Sequence, residues 1–235
     1  MDKTEEDFEG RIINAQIKEL KELFKNPDSF EEGKAKFLDF HLNCHRSEMS
    51  GQKGKTFEDL LWDGLSEPIL RKAVTAKGRT ILYGLWHSAR IEDMTMNGLV
   101  SRKEQIYFSG DYRNKIDTGI DHTGNSLSSK EILEMSSRLN INSLCDYRIE
   151  VGKATRKIIK NLSFEDLKRK IDDNDIEYLR SSGSVDDVPS ANWLLDFWRN
   201  KNVHGILFMP ACRHLIVHLR ESFDAKAGGL KNKDE

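Results

Sequence analysis

Apolar residues recur at three- and four-residue steps along most of this chain, a period that predicts helices rather than strands. Ile13, Ile17, Leu20 and Phe24 mark one face of a charged segment, giving an amphipathic helix within an N-terminal extension, residues 1–28. After Pro27, Ser29-Phe30-Glu31-Glu32 has the form of a capping box, and the run to Glu48 reads as a second helix. A polar stretch interrupts at 50–55, after which Thr56-Phe57-Glu58-Asp59 starts a short helix carrying Leu60, Leu61 and Trp62. From about 80 to 100 two apolar stripes run together: Leu82, Trp86, Ala89 and Met96, and beside them Tyr83, His87, Ile91 and Met94. A helix apolar most of the way round belongs in the middle of a bundle.

The region 109–128, with Gly110, Gly119 and Gly124 among polar residues, reads as the longest irregular connection. Helical period resumes at a Ser128 cap with Glu131 three residues on. A long helix follows over about 142–161, with Val151, Ala154, Ile158 and Leu162 inward and Lys153, Arg156, Lys157 and Lys160 opposite. Ser163-Phe164-Glu165-Asp166 opens another short helix, 181–190 is loop, and a last helix runs over about 203–224, kinked at Pro210. Residues 105–109 are the one candidate extended piece, and nothing offers it a partner. The expectation is an all-α chain, one helical-bundle domain over 1–235.

Composition narrows the function classes. The chain has 235 residues, 32% of them charged, yet a net charge of only −2. The charge therefore reads as a solvated surface over periodic helices, with no global field for nucleic acid or an anionic membrane. Cys44, Cys145 and Cys212 form no CxxC pair, which suits free thiols in a reducing compartment. The acidic N-terminus lacks the basic start and apolar stretch of a signal peptide, and no apolar run approaches membrane-spanning length. A cytoplasmic location is expected.

The sharpest chemical feature is the histidines. His214 and His218 lie one helical turn apart on the face that carries Val203, Leu207 and Ala211, where both rings can reach one ion. His87 lies on the inward central helix. Buried imidazoles need partners, which a shared divalent metal supplies; carbonyls or carboxylates in an ordinary core supply them too. His41, His45 and Glu48, at i, i+4 and i+7 of the second predicted helix, are a competing metal-capable set that joins the first or stands alone. Glu92 and Asp93 are candidates to orient a ligand histidine, or else to solvate a helix end. The stretch 51–56 ends like a phosphate-binding loop, but Met49 stands where its first glycine belongs and no strand precedes it. The basic stripe 153–160 reads as a solvated face, and Trp193 and Trp198 as packing residues.

Trp86-His87 within an apolar central helix, followed by Arg213-His214 through His218 in the last long helix, resembles the DinB-like (damage-inducible) four-helix-bundle metalloproteins. The resemblance covers roughly residues 30–225. It implies an up-down-down-up four-helix bundle, here with extra short helices and an N-terminal helix. It also implies one divalent ion, zinc or nickel, bound by His87, His214 and His218, and a homodimer. Relatives of this kind include thiol-dependent S-transferases and an isomerase, so the implied activity is transfer of a low-molecular-weight thiol to a small electrophile. Arg90 or Arg213 would then recognise an acidic group. The second class is a non-catalytic bundle, its metal structural or absent, acting in stress or partner binding. Coordination separates the two: an open position favours catalysis, and a shell closed by His45 or Glu48 favours structure.

Overall fold

Every residue from 81 to 100 is buried, and the rest of the fold is arranged around that segment. In the computed structural model, which describes residues 8–231, it forms α6 (Ile81–Asp93) and a π-helical continuation, Met94–Val100. Thr80 caps it by accepting from the Tyr83 amide at 3.0 Å. At the junction Thr95 Oγ1 donates back to the carbonyls of Ile91, at 2.7 Å, and Glu92, at 3.1 Å. Such back-bonding loosens the helical ladder where the wider turns begin.

The other elements are α1 (Gly10–Leu23), α2 (Phe30–Leu42), α3 (Ser47–Ser50), α4 (Phe57–Trp62), α5 (Glu67–Lys72), α7 (Ile106–Ser109) and α8 (Tyr112–Ile116). They continue with α9 (Ser129–Arg138), α10 (Ile141–Asn161), α11 (Asp173–Ser181), α12 (Asn192–Arg199), α13 (Val203–Leu207), a π-helical segment (Met209–His214) and α14 (Leu215–Lys231). The described residues hold no strand, only isolated bridges between Val74 and Thr80 and between Lys170 and Asn202. The all-α expectation holds. None of the described helices is long and apolar enough to cross a membrane.

Helix α6 packs along both α14 and α10, α10 also packs on α2, and α2 meets the Met209–His214 segment. Helix α1 lies on α2 through Ile13, Ile17 and Leu20, as its stripe predicts. Buried charges are tied into this frame. Arg148 of α10 grips both carboxylate oxygens of Glu58, at 2.9 and 2.7 Å. It also donates to the Leu85 carbonyl at 2.7 Å, Ser88 Oγ at 3.0 Å and the Cys44 carbonyl at 3.3 Å. One side chain thus joins α4, α6 and the turn after α2, with its donors used.

Several local expectations are corrected. The second helix ends at Leu42 rather than Glu48. Asn43 Nδ2 donates to the Asp39 carbonyl at 2.8 Å, and that local bond competes with another helical turn. Ser29 does not cap α2; its hydroxyl donates to the Leu23 carbonyl at 2.8 Å, and Asn26 caps the preceding short turn instead. Residues 106–109 are helical, not extended, because Asp93 accepts the amides of Ile106 and Tyr107 at 2.9 and 2.8 Å and starts the turn. Part of the irregular region 109–128 forms α8. The inward face of α10 is rotated: Leu144, Tyr147, Val151, Thr155 and Ile159 are buried, whereas Ala154 and Ile158 are half-buried. Pro210, with no amide proton, breaks the last helix into α13, the π segment and α14 rather than only bending it. The capping boxes at Thr56–Asp59 and Ser128–Glu131 form as read.

Candidate metal centre

His87 comes from the middle of α6, His214 from the end of the π-helical segment, and His218 from the first turns of α14. Because α14 lies along α6, the three rings meet. Their centroids are 5.0 Å apart for His87–His214, 4.8 Å for His87–His218 and 4.5 Å for His214–His218. One nitrogen of each lies within 4.8 Å of one nitrogen of the others. The Nε2 atoms of His214 and His218 stand 3.2 Å apart. Two ligands of a tetrahedral zinc with bonds of about 2.0–2.1 Å are roughly 3.3 Å apart. The spacing therefore suits a shared ion. Gly84 lets the helices approach: a Cβ there would lie 3.0 Å from Ser222 Oγ and 4.0 Å from His218 Nδ1.

The tautomer of His87 follows from its partner. Its Nδ1 lies 2.5 Å from the Thr123 carbonyl, which can only accept, so Nδ1–H donates and Nε2 presents its lone pair to the other two rings. The Tyr83 ring stacks on it at 5.3 Å and 5°. Burial, reinforced by the neighbouring His218, pushes the His87 pKa down to about 3. Burial first, then His218 and His87, holds His214 well below the usual imidazole range. Both rings are neutral at pH 7, the form that binds metal. Glu221 Oε2 lies 3.3 Å from His218 Nδ1, near but not aligned as a full hydrogen bond. Contact with His218, and then with Lys77, holds the Glu221 carboxyl below the usual range. A carboxylate at the far nitrogen of a ligand histidine is the usual second partner in zinc sites.

Exposure is uneven. His87 and His218 are buried, whereas His214 is half-buried, with its Nδ1 closed off from solvent. Cys212 is buried, away from this group, and burial pushes its thiol well up.

The competing set divides. His41 and His45 do not join the first group, and Glu48 is exposed, its nearest cation being Arg46 at 3.8 Å. The carboxylate that meets His41 and His45 is Glu92, which has left solvent entirely. Asp93 is buried too, engaged by Tyr147 and the start of α7. Neither acid touches His87. Arg90 is also committed, donating to Gln105, Tyr147 and the Asp121 carbonyl at 3.0, 3.3 and 2.9 Å, so it cannot meet a substrate acid. Arg213 is exposed.

Thr123 and Glu221 are the partners that residue pattern did not single out. Glu221 had a readable signal, three residues after His218 on the same helix; Thr123, in a loop, had none. Fold and site together define an all-helical protein with a buried three-histidine group. No family model matches the chain, and no curated protein matches it in sequence.

Proposed function

We propose that this chain is a DinB-like four-helix-bundle metalloprotein that holds one zinc or nickel ion with His87, His214 and His218 and transfers a low-molecular-weight thiol to a small electrophile. The observation that carries the reading is the convergence of three imidazole nitrogens within 4.8 Å, contributed by α6, α14 and the π-helical segment that leads into α14. The packing of α6 on α14 and α10, of α10 on α2, and of α2 on the Met209–His214 segment supports the bundle arrangement. The donor set fits a divalent cation: three imidazoles with nitrogens within 4.8 Å of one another, one pair spaced as tetrahedral ligands are, and one tautomer set by a backbone carbonyl.

When bound, such an ion lowers the pKa of a thiol so that the thiolate, the reactive form, is present near neutral pH. The chain's own residues do the rest. The Nδ1–H of His87 donates to Thr123 and fixes the direction of its free nitrogen. Glu221 stands where it can accept a proton from His218 Nδ1. His214, the least buried of the three, marks the side where a small thiol and its acceptor arrive, and the exposed Arg213 beside it is the cation available to an acidic group.

The test is conjugation of a panel of thiols to electrophiles by the full chain with and without zinc or nickel. A metal-dependent rate that is lost in His87→Ala and in His218→Ala, with the helical spectrum retained, is the expected result. No metal-dependent rate across the panel overturns the transferase reading and leaves a non-catalytic bundle.

A further inference from the structure

Among the described residues eleven buried side-chain nitrogen and oxygen atoms lack a hydrogen-bond partner, and four of them fall in one cluster. Arg148 and Asp93 each find several partners at hydrogen-bond distance. In contrast His41 Nδ1, His45 Nδ1, His45 Nε2 and Glu92 Oε2 are buried without a well-aligned partner. Such atoms cost on the order of 1–3 kcal/mol each when left unsatisfied, and an occupant held by His45 Nε2 and Glu92 Oε2 would satisfy two of the four.

We propose that the chain holds a second divalent cation, of zinc's class, sealed between His41 Nε2, His45 Nε2 and the Glu92 carboxylate. His41 Nε2 lies 2.7 Å from one Glu92 oxygen and His45 Nε2 lies 3.1 Å from the other. The second pair is close yet is not aligned as a hydrogen bond. The imidazole centroids are 4.6 Å apart, and the three ligand atoms lie within 4.8 Å of one another. The two imidazole–carboxylate gaps are shorter than the roughly 3.3 Å edge of a tetrahedral zinc shell, so the side chains would turn slightly apart to admit an ion.

Chemistry and charge agree. Two imidazoles and one carboxylate are an established zinc donor set. Glu92 is an acid with no exposed surface, and its two oxygens face His41 and His45. A buried carboxylate of this kind is paired or coordinates a metal. In the metal-free chain His41 Nε2–H donates to Glu92, and a bound cation takes the place of that proton. Room has been left for the His45 ring: a Cβ on Gly152 of α10 would lie 3.1 Å from its Nδ1. Since the three side chains are 0–1% exposed, the ion would be structural, clamping the turn after α2 onto α6. This inference does not depend on the thiol reaction or on the first centre.

The experiment is diffraction at the zinc absorption edge from crystals of the full chain equilibrated with zinc, with zinc per chain counted for wild type, Glu92→Gln and His214→Ala. An anomalous peak among His41, His45 and Glu92 is expected, with two zinc ions in the wild type and one in each variant. A peak there alone sinks the three-histidine centre but supports this one. No peak there, whatever the other centre shows, overturns the proposal, as does a folded Glu92→Gln chain with an unchanged zinc count. If Glu92→Gln does not fold, the wild-type crystal decides.

Discussion

The two histidine groups share helix α6, which sends His87 to one and Glu92, five residues later and on another face, to the other. They are built differently. The His87 group has three imidazoles, an outer partner for His87 in Thr123, the Glu221 carboxylate near but not aligned on His218, and one residue, His214, that is only half-buried. The Glu92 group carries its own anion, has orphaned outer nitrogens and is closed. Outer partners fix ligand direction where something must come and go; an internal carboxylate in a closed core serves holding. The contrast teaches that the number of histidines says less about role than exposure and the groups behind each ring.

The largest effect is expected at Arg148, which braces the closed group by joining α6 to the turn that carries His45. Arg148→Ala leaves Glu58 buried without its cation and should cost about 3–5 kcal/mol in denaturant unfolding. A loss below about 1 kcal/mol would mean that the closed side is not held this way.

Next come the clusters themselves in metal-free protein. Glu92→Gln should cost on the order of 1–3 kcal/mol, because the charged acceptor of His41, which also stands beside His45, is replaced by a neutral amide. His214→Ala, at the half-buried edge, should cost clearly less. Equal costs in the same unfolding assay would erase the distinction between closed and open groups.

Acid should weaken both. An unfolded imidazole takes its proton near pH 6.5, whereas His41 is held down to about 4 by burial, against the opposing pull of Glu92, and His87 to about 3. Between those values the unfolded chain binds more protons. Stability is therefore fully present above pH 6.5, falls as pH drops, and stops falling for His41 near 4 and for His87 near 3. The slope is at most about 1.4 kcal/mol per pH unit for each histidine. A melting temperature of metal-free protein that stays flat from pH 7 to 4 would contradict this.

The smallest effect is at Gly84. An added Cβ meets Ser222 Oγ at 3.0 Å, so Gly84→Ala should shift stability by no more than about 1 kcal/mol while weakening metal uptake at the open group alone. Unchanged uptake there would show that the approach of α6 and α14 has slack.

Much of this was legible in order of residues. The double stripe of 80–100 announces a helix buried all round, and it is. His214 and His218 share a face by spacing alone, and His87 joins them because both helices turn inward stripes to one core. The Glu92 group was half visible. His41 and His45 were flagged, but with Glu48 as their acid, because a continued helix would have placed it there; Asn43 ends that helix and removes Glu48 to the surface. A carboxylate inside a helix buried on every side was itself a signal, since such a group must have partners. Which partners depended on how α2 meets α6, and no local pattern carries that.

The most direct measurement of the central claim is elemental analysis of purified protein equilibrated with zinc and freed of excess, wild type beside His214→Ala. One zinc fewer per chain in the variant, with an unaltered helical spectrum, is the result expected if His87, His214 and His218 share an ion. Equal counts in the two proteins would contradict it.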